Sequence, residues 1–173
     1  VLLIKADLFR KVGKPERGFS VALRAASVAF KARLMPSLWG AVGLLANMLN
    51  DLGEYTSARR LLDAVLPQTL ENGDAMLSAT LYSHLGDSYM GLANPGISTE
   101  ARTRASNMAK AELYIDRARE SYKKSSYLDG ECEQLMKKAV IAKLRGDEKL
   151  AEEWAQNHNR VWEEGMMRIE GNA

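Results

Sequence analysis

The side chains able to do chemistry in this chain are few and scattered. His84 and His158 are its only histidines, and Cys132 is its only cysteine. His84 falls in a helical stripe beside Leu85, where an imidazole is ordinarily structural or superficial rather than a base or ligand. Cys132 lies in another helical pattern and reads as a small core residue. As a single cysteine it excludes an internal disulfide and any multi-cysteine zinc site. Asp7, Asp87 and Asp116 stand at solvated helical spacing without the clustering a metal requires, and Glu152-Glu153 and Glu163-Glu164 read as surface pairs. Gly13-Lys14 runs straight into Pro15, whereas a phosphate-binding loop needs a glycine-rich run ending in Lys and Ser/Thr. The chain is therefore expected to hold no catalytic set, cofactor or metal, and not to be an enzyme.

What the remaining residues do is position helices. Gly13, Gly53 and Gly146 each separate two helical patterns, with similar residue types around them. The clearest copy runs Leu45-Ala46-x-x-Leu49-x-x-x-Gly53-x-Tyr55-x-x-Ala58-x-x-x-Leu62-x-x-Val65-Leu66. Small residues there let two helices approach, and a glycine frees the turn between them; this is the spacing of a tetratricopeptide hairpin. The expectation is an all-α chain of about four helix pairs forming a tetratricopeptide-like superhelix.

Composition agrees. In 173 residues the hydrophobic share is 46% and the charged share 27%, ordinary for a folded chain. Only four prolines occur and the aromatic share is 7%, while Ala, Leu, Glu, Lys, Arg and Met, all good helix formers, dominate. No apolar run approaches the roughly 20 residues that span a bilayer, so no membrane role is expected. Val1 stands inside a helical pattern without an initiating methionine, which predicts a piece of a longer chain. The net charge of +2 is uneven: residues 1–35 carry eight basic and two acidic side chains, the remainder sixteen and twenty. A Lys/Arg-laced solvated face explains this. Nucleic-acid binding is not expected, because the basic residues are not interleaved with stacking aromatics.

Four units follow. Residues 1–35 turn at Gly13, bring a small-residue face of Gly18, Ala22, Ala25, Ala26 and Ala29, and stop at Pro36, with Ser37 as the next N-cap. Residues 37–70 turn at Gly53, with Pro67 near the end. Residues 73–126 open at Asn72-Gly73-Asp74, place Ala93 where the turn glycine would be, and carry an exposed loop or insertion near 94–99. Residues 128–165 turn at Gly146, and Gly165 and Gly171 predict fraying beyond. The turn spacings of 40, 40 and 53 exceed the typical value of about 34; longer helices and one insertion account for the excess, and an irregular solenoid or a bundle competes with this architecture. Trp39, Trp154 and Trp162 read as helix-packing residues, the last two on roughly one face. An uncapped solenoid end is sticky, so self-association of the isolated chain is possible.

In a tetratricopeptide array the first helices line the concave surface. Counting from each turn assigns to it Asp7, Arg10 and Lys11, then Asn47, Asn50 and Asp51, then Ser83, Asp87 and Met90, and finally Val140 and Lys143. A clamp for chaperone C-terminal carboxylates uses Lys, Asn, Asn, Lys and Arg on these helices. Asp7, Leu3, Thr80 and His84 replace four of the five and only Asn47 matches, so Asp7 would repel such a ligand.

Three segments resemble a known family. Lys14-Pro15-Glu16-Arg17-Gly18-Phe19-Ser20-Val21-Ala22-Leu23-Arg24-Ala25-Ala26, Leu44-Leu45-Ala46-Asn47-Met48-Leu49 and Lys137-Lys138-Ala139-Val140-Ile141-Ala142-Lys143-Leu144-Arg145-Gly146-Asp147 are similar to the C-terminal repeat region of the anaphase-promoting complex subunit 5 family, its fungal branch above all. The resemblance covers nearly the whole chain and is weakest over 93–108. It implies a non-catalytic scaffold of a multisubunit cullin–RING ubiquitin ligase in mitosis, found in nucleus and cytoplasm and bound to the platform subunits that join the catalytic module to the repeat-protein arm. It places no ubiquitin-transfer residue on this chain. The alternative is a peptide-binding adaptor that captures short motifs in its concave groove.

Overall fold

A computed structural model describes residues 1–72 and 74–170, apart from the side chains of residues 169 and 170. Gly73 and Gly171, to which a unit start and a frayed end were assigned, lie outside the described residues. Among the described residues all regular structure is helical: α1 (Leu2–Lys11), α2 (Pro15–Lys31), α3 (Met35–Asp51), α4 (Tyr55–Glu71), α5 (Ala75–Leu92), α6 (Ala101–Lys124), α7 (Leu128–Leu144) and α8 (Glu148–Glu170). Each helix packs on its neighbours in the chain, and α3 additionally meets α1 and α5. That succession is the packing of stacked helical hairpins.

The turns have a common cause. Gly13, Gly53 and Gly146 sit at φ of +73°, +80° and +80°, left-handed values that cost an L side chain roughly 1–2 kcal/mol. At each, the glycine N–H and the following N–H reach back to the last turn of the preceding helix, as in Gly53 to Asn50 O and Glu54 to Leu49 O. This pair of bonds satisfies carbonyls the helix would otherwise leave open. The same pair recurs between hairpins at Arg33 and Ser126, both at φ 54° without being glycine. Ala93 differs: its φ is −82°, no such closure forms, and residues 93–100 run as a loop before α6. Asn94 Oδ1 holds that loop by accepting from Gly96 N at 2.8 Å.

Three local expectations are corrected. Pro36 does not stop a helix but occupies the first turn of α3, where its missing N–H costs nothing; Ser37 is therefore inside the helix, and Leu34 precedes it without a side-chain cap. The residue that does cap is Asp74, accepting from Leu77 N at 2.8 Å. Gly165 does not fray α8. It lies within the helix against Leu128, where a Cβ would stand 2.5 Å from the Leu128 methyls.

Burial repeats along the chain. Gly18, Ala22, Ala25 and Ala29 of α2 correspond, 40 residues on, to Ala58, Leu62, Val65 and Thr69 of α4, and 53 further on to Ala111, Ile115, Ala118 and Tyr122 of α6. All are buried except the partly covered Val65. In α8, another 40 residues on, the series reads Ala151, Ala155, His158 and Trp162, and burial fades from the first to the last. First helices repeat too: Ala41, Gly43, Leu45, Ala46 and Met48 of α3 match Leu81, Ser83, Leu85, Gly86 and Ser88 of α5, all buried. The largest core gathers on α4, α5 and α6 around Leu62, Leu81, Leu85 and Ile115, and a smaller one joins Ala6, Ala22, Leu45 and Met48. The longer offset comes from α6, whose 24 residues exceed the 17 of α4, together with the connection at 93–100, which is longer than the one at 52–54.

Candidate interaction surface

The first helices α1, α3, α5 and α7 follow one another through polar side chains that bridge from each to the next. At the first joint Arg10 Nη1 donates to Asp51 Oδ2 at 3.2 Å, while its Nε donates to Asp7 Oδ1 at 3.0 Å. Lys11 approaches the other Asp7 oxygen at 3.0 Å. Burial opposes ionising Asp7, but Lys11 and Arg10 outweigh it and hold the carboxyl below its ordinary range. At the second joint the buried Asn50 donates to His84 O at 3.0 Å and accepts from Ser88 Oγ at 2.9 Å.

The third joint is the most enclosed. Lys137 Nζ of α7 meets Ser83 Oγ, Asp87 Oδ2 and Glu133 Oε1, each at 2.8 Å. The buried Gln134 also donates to Ser83 Oγ, at 3.1 Å. Burial pushes the Asp87 carboxyl up, yet the neighbouring His84 and Lys137 pull it below its usual value. His84 Nδ1 stands 3.9 Å away, beyond hydrogen-bond reach, so Lys137 is the partner that dominates. Burial likewise lowers Lys137, but Asp87 and Glu133 raise it above its ordinary value. Each joint therefore pairs a partly dehydrated charge or amide with a complementary group on the adjacent hairpin, which fixes register as well as proximity.

The eleven residues assigned from turn phase thus have unequal fates. Arg10, Asp51, Asn50, Ser83 and Asp87 are tied across hairpins, Asp7 braces Arg10, and Lys11 pairs with Asp7. Asn47 is half-buried beside them. Met90 instead lines an apolar cavity of about 430 Å³ with Arg104, Met108, Leu144 and Arg145. Val140 and Lys143 are exposed on α7, away from the joints. Sequence reasoning missed Ser88, Gln134 and Lys137. Only Lys137 carried a signal, four residues after Glu133, and that pattern is common on any solvated helix.

The reactive residue types do not assemble. Ser83 Oγ accepts from Lys137 and Gln134, and no imidazole hydrogen-bonds it as a nucleophile–base pair would. Cys132 is 4% exposed; burial, with Glu131 and Asp129, pushes its thiol up, away from the reactive thiolate. Asp116 pairs with Lys138, whose ammonium lies 4.3 Å from the Trp154 ring centre. Among the described residues no three His, Cys, Asp or Glu side chains converge as metal ligands would, and no helix is long and apolar enough to cross a membrane.

Compared with known proteins, the chain matches no family model and no curated sequence at a significant level.

Proposed function

We propose that this chain is a non-catalytic scaffold segment of the anaphase-promoting complex, with its hairpins continuing as a tetratricopeptide-like superhelix against platform subunits in nucleus and cytoplasm. The observation that carries the reading is apolar surface left bare at positions the repeat elsewhere covers. Leu8 is 59% exposed, although its repeat equivalent Met48 is fully buried. Ile4 is also exposed where its equivalent Leu44 is partly covered, and Phe30, Leu34, Leu144 and Met167 add further exposed apolar area. Surfaces of that kind suit broad, lasting interfaces rather than brief capture of a short peptide. The segment resemblance supplies the identity of the complex. Against the adaptor alternative, five of the nine polar residues assigned to the concave face are already bonded to the neighbouring hairpin, which leaves fewer anchors for a ligand.

The test is affinity capture of the tagged chain from mitotic extract, with the bound proteins identified. Recovery of the ligase's large platform subunits in roughly equal amounts is the expected result. Recovery of none of them, with one unrelated peptide-bearing partner instead, overturns the reading and favours the adaptor.

A further inference from the structure

A second surface lies apart from the first-helix joints and does not depend on the scaffold reading. The C-terminal turns of α6, the start of α7 and the C-terminal half of α8 enclose a cleft of about 720 Å³, within the size range of ligand sites. Among the described lining residues the charges do not cancel. Arg119 stands 3.6 Å from Glu131 and Arg168 3.8 Å from Glu164. Lys123 and Arg160 also line the cleft, and among the described residues neither has a carboxylate within ion-pairing distance. Arg160 is held in place by Asn157, whose Oδ1 accepts from its Nη2 at 2.8 Å.

The second observation is a fixed cation. Arg119, a quarter exposed in the cleft wall, is held between Glu131 at 3.6 Å and the Trp154 ring 5.9 Å away. Its Nε has no partner among the described residues and is shut off from solvent, so a ligand would meet only the exposed part of the side chain. Leu128 and Val161 add an apolar strip to the same wall.

We propose that this cleft binds an acidic peptide segment of a partner protein. Carboxylates of the segment would pair with Lys123 and Arg160, an acceptor would meet Arg119, and an aliphatic side chain would rest on Leu128 and Val161. A peptide fits better than a nucleic acid because no aromatic side chain among the lining residues can stack a base.

The proposal is tested by fluorescence anisotropy of the intact chain with a labelled peptide of repeated Glu-Glu-Leu, compared with its Gln-Gln-Leu counterpart and with oligothymidine. The acidic peptide binds, more weakly as salt rises, and the Lys123→Glu/Arg160→Glu variant loses at least about tenfold in affinity. Circular dichroism melting establishes that this variant is folded, and Lys31→Glu at the exposed end of α2 leaves affinity unchanged. Absence of acidic-peptide binding overturns the proposal. So does equal binding of the Gln-Gln-Leu peptide, full affinity in the folded double variant, or tighter binding of oligothymidine.

Discussion

At the scale of single residues, the joint between α5 and α7 has the highest electrostatic stakes. Lys137 compensates a partly buried Asp87, so removing the ammonium leaves a charge with reduced hydration. Lys137→Met is expected to destabilise the chain by roughly 2–3 kcal/mol, below the full cost of a completely buried pair because both side chains keep some solvent contact. Thermal unfolding would show this as a fall of about 4–12 °C. The pH dependence has a definite sign. Asp87 is depressed in the folded state, so its contribution is present above the unfolded carboxylate value near 3.9 and is lost as pH falls through the folded value. Lys137 is raised, so its contribution is present below the unfolded value near 10.4 and is lost as pH rises through the folded value. The gap between native chain and variant, measured by urea titration, is therefore widest near neutral pH and narrows on acidification below about 4. A gap that stays constant down to pH 3 would contradict the assignment of Lys137 as the partner of Asp87.

At the scale of elements, close approach of helices decides which glycines are replaceable. A Cβ on Gly18 would stand 2.8 Å from Ala6 O, a backbone atom of α1, and 2.7 Å from Met48 Cε. The methionine can yield but the carbonyl cannot without moving the helix. Gly18→Ala is expected to cost about 1–3 kcal/mol despite alanine's better helix propensity. Gly40, by contrast, has only Leu3 Cδ1 at 3.8 Å, so Gly40→Ala is expected to gain roughly 0.5–1 kcal/mol. Paired denaturant titrations check both signs. Between hairpins, Arg33 adopts a left-handed φ of 54° that glycine would accept without strain; Arg33→Gly is expected to be neutral to stabilising by up to about 1 kcal/mol, the relief being offset by a more flexible unfolded chain.

At the scale of the molecule, a stack in which hairpins touch mainly their neighbours has stability that varies along its length. The core on α4, α5 and α6 is continuous and fully buried, whereas in α1 only Ala6 is buried. Amide hydrogen exchange is expected to be slowest in α5 and fastest in α1 and the C-terminal half of α8. Uniform protection across all helices would mean that the chain opens as one cooperative unit instead.

The division between what the chain encodes locally and what packing decides follows from the range of each interaction. Helix propensity, the turn glycines and the spacing of small residues act within a few positions, and these made the all-helical hairpin pattern and the turns at Gly13, Gly53 and Gly146 legible in advance. Local rules failed where context overrode them. Pro36 could equally end one helix or begin the next, and Gly165 is kept helical by its close packing on Leu128. The partners of Arg10, Asn50 and Lys137 on the adjacent hairpins lie 34 to 54 residues away in the chain. No spacing rule reaches that far, so whether a polar residue on a first helix faces solvent, a ligand or the next hairpin was settled only when the helices were stacked. The same holds for the basic cleft, whose walls come from three helices that are ordinary when read one at a time.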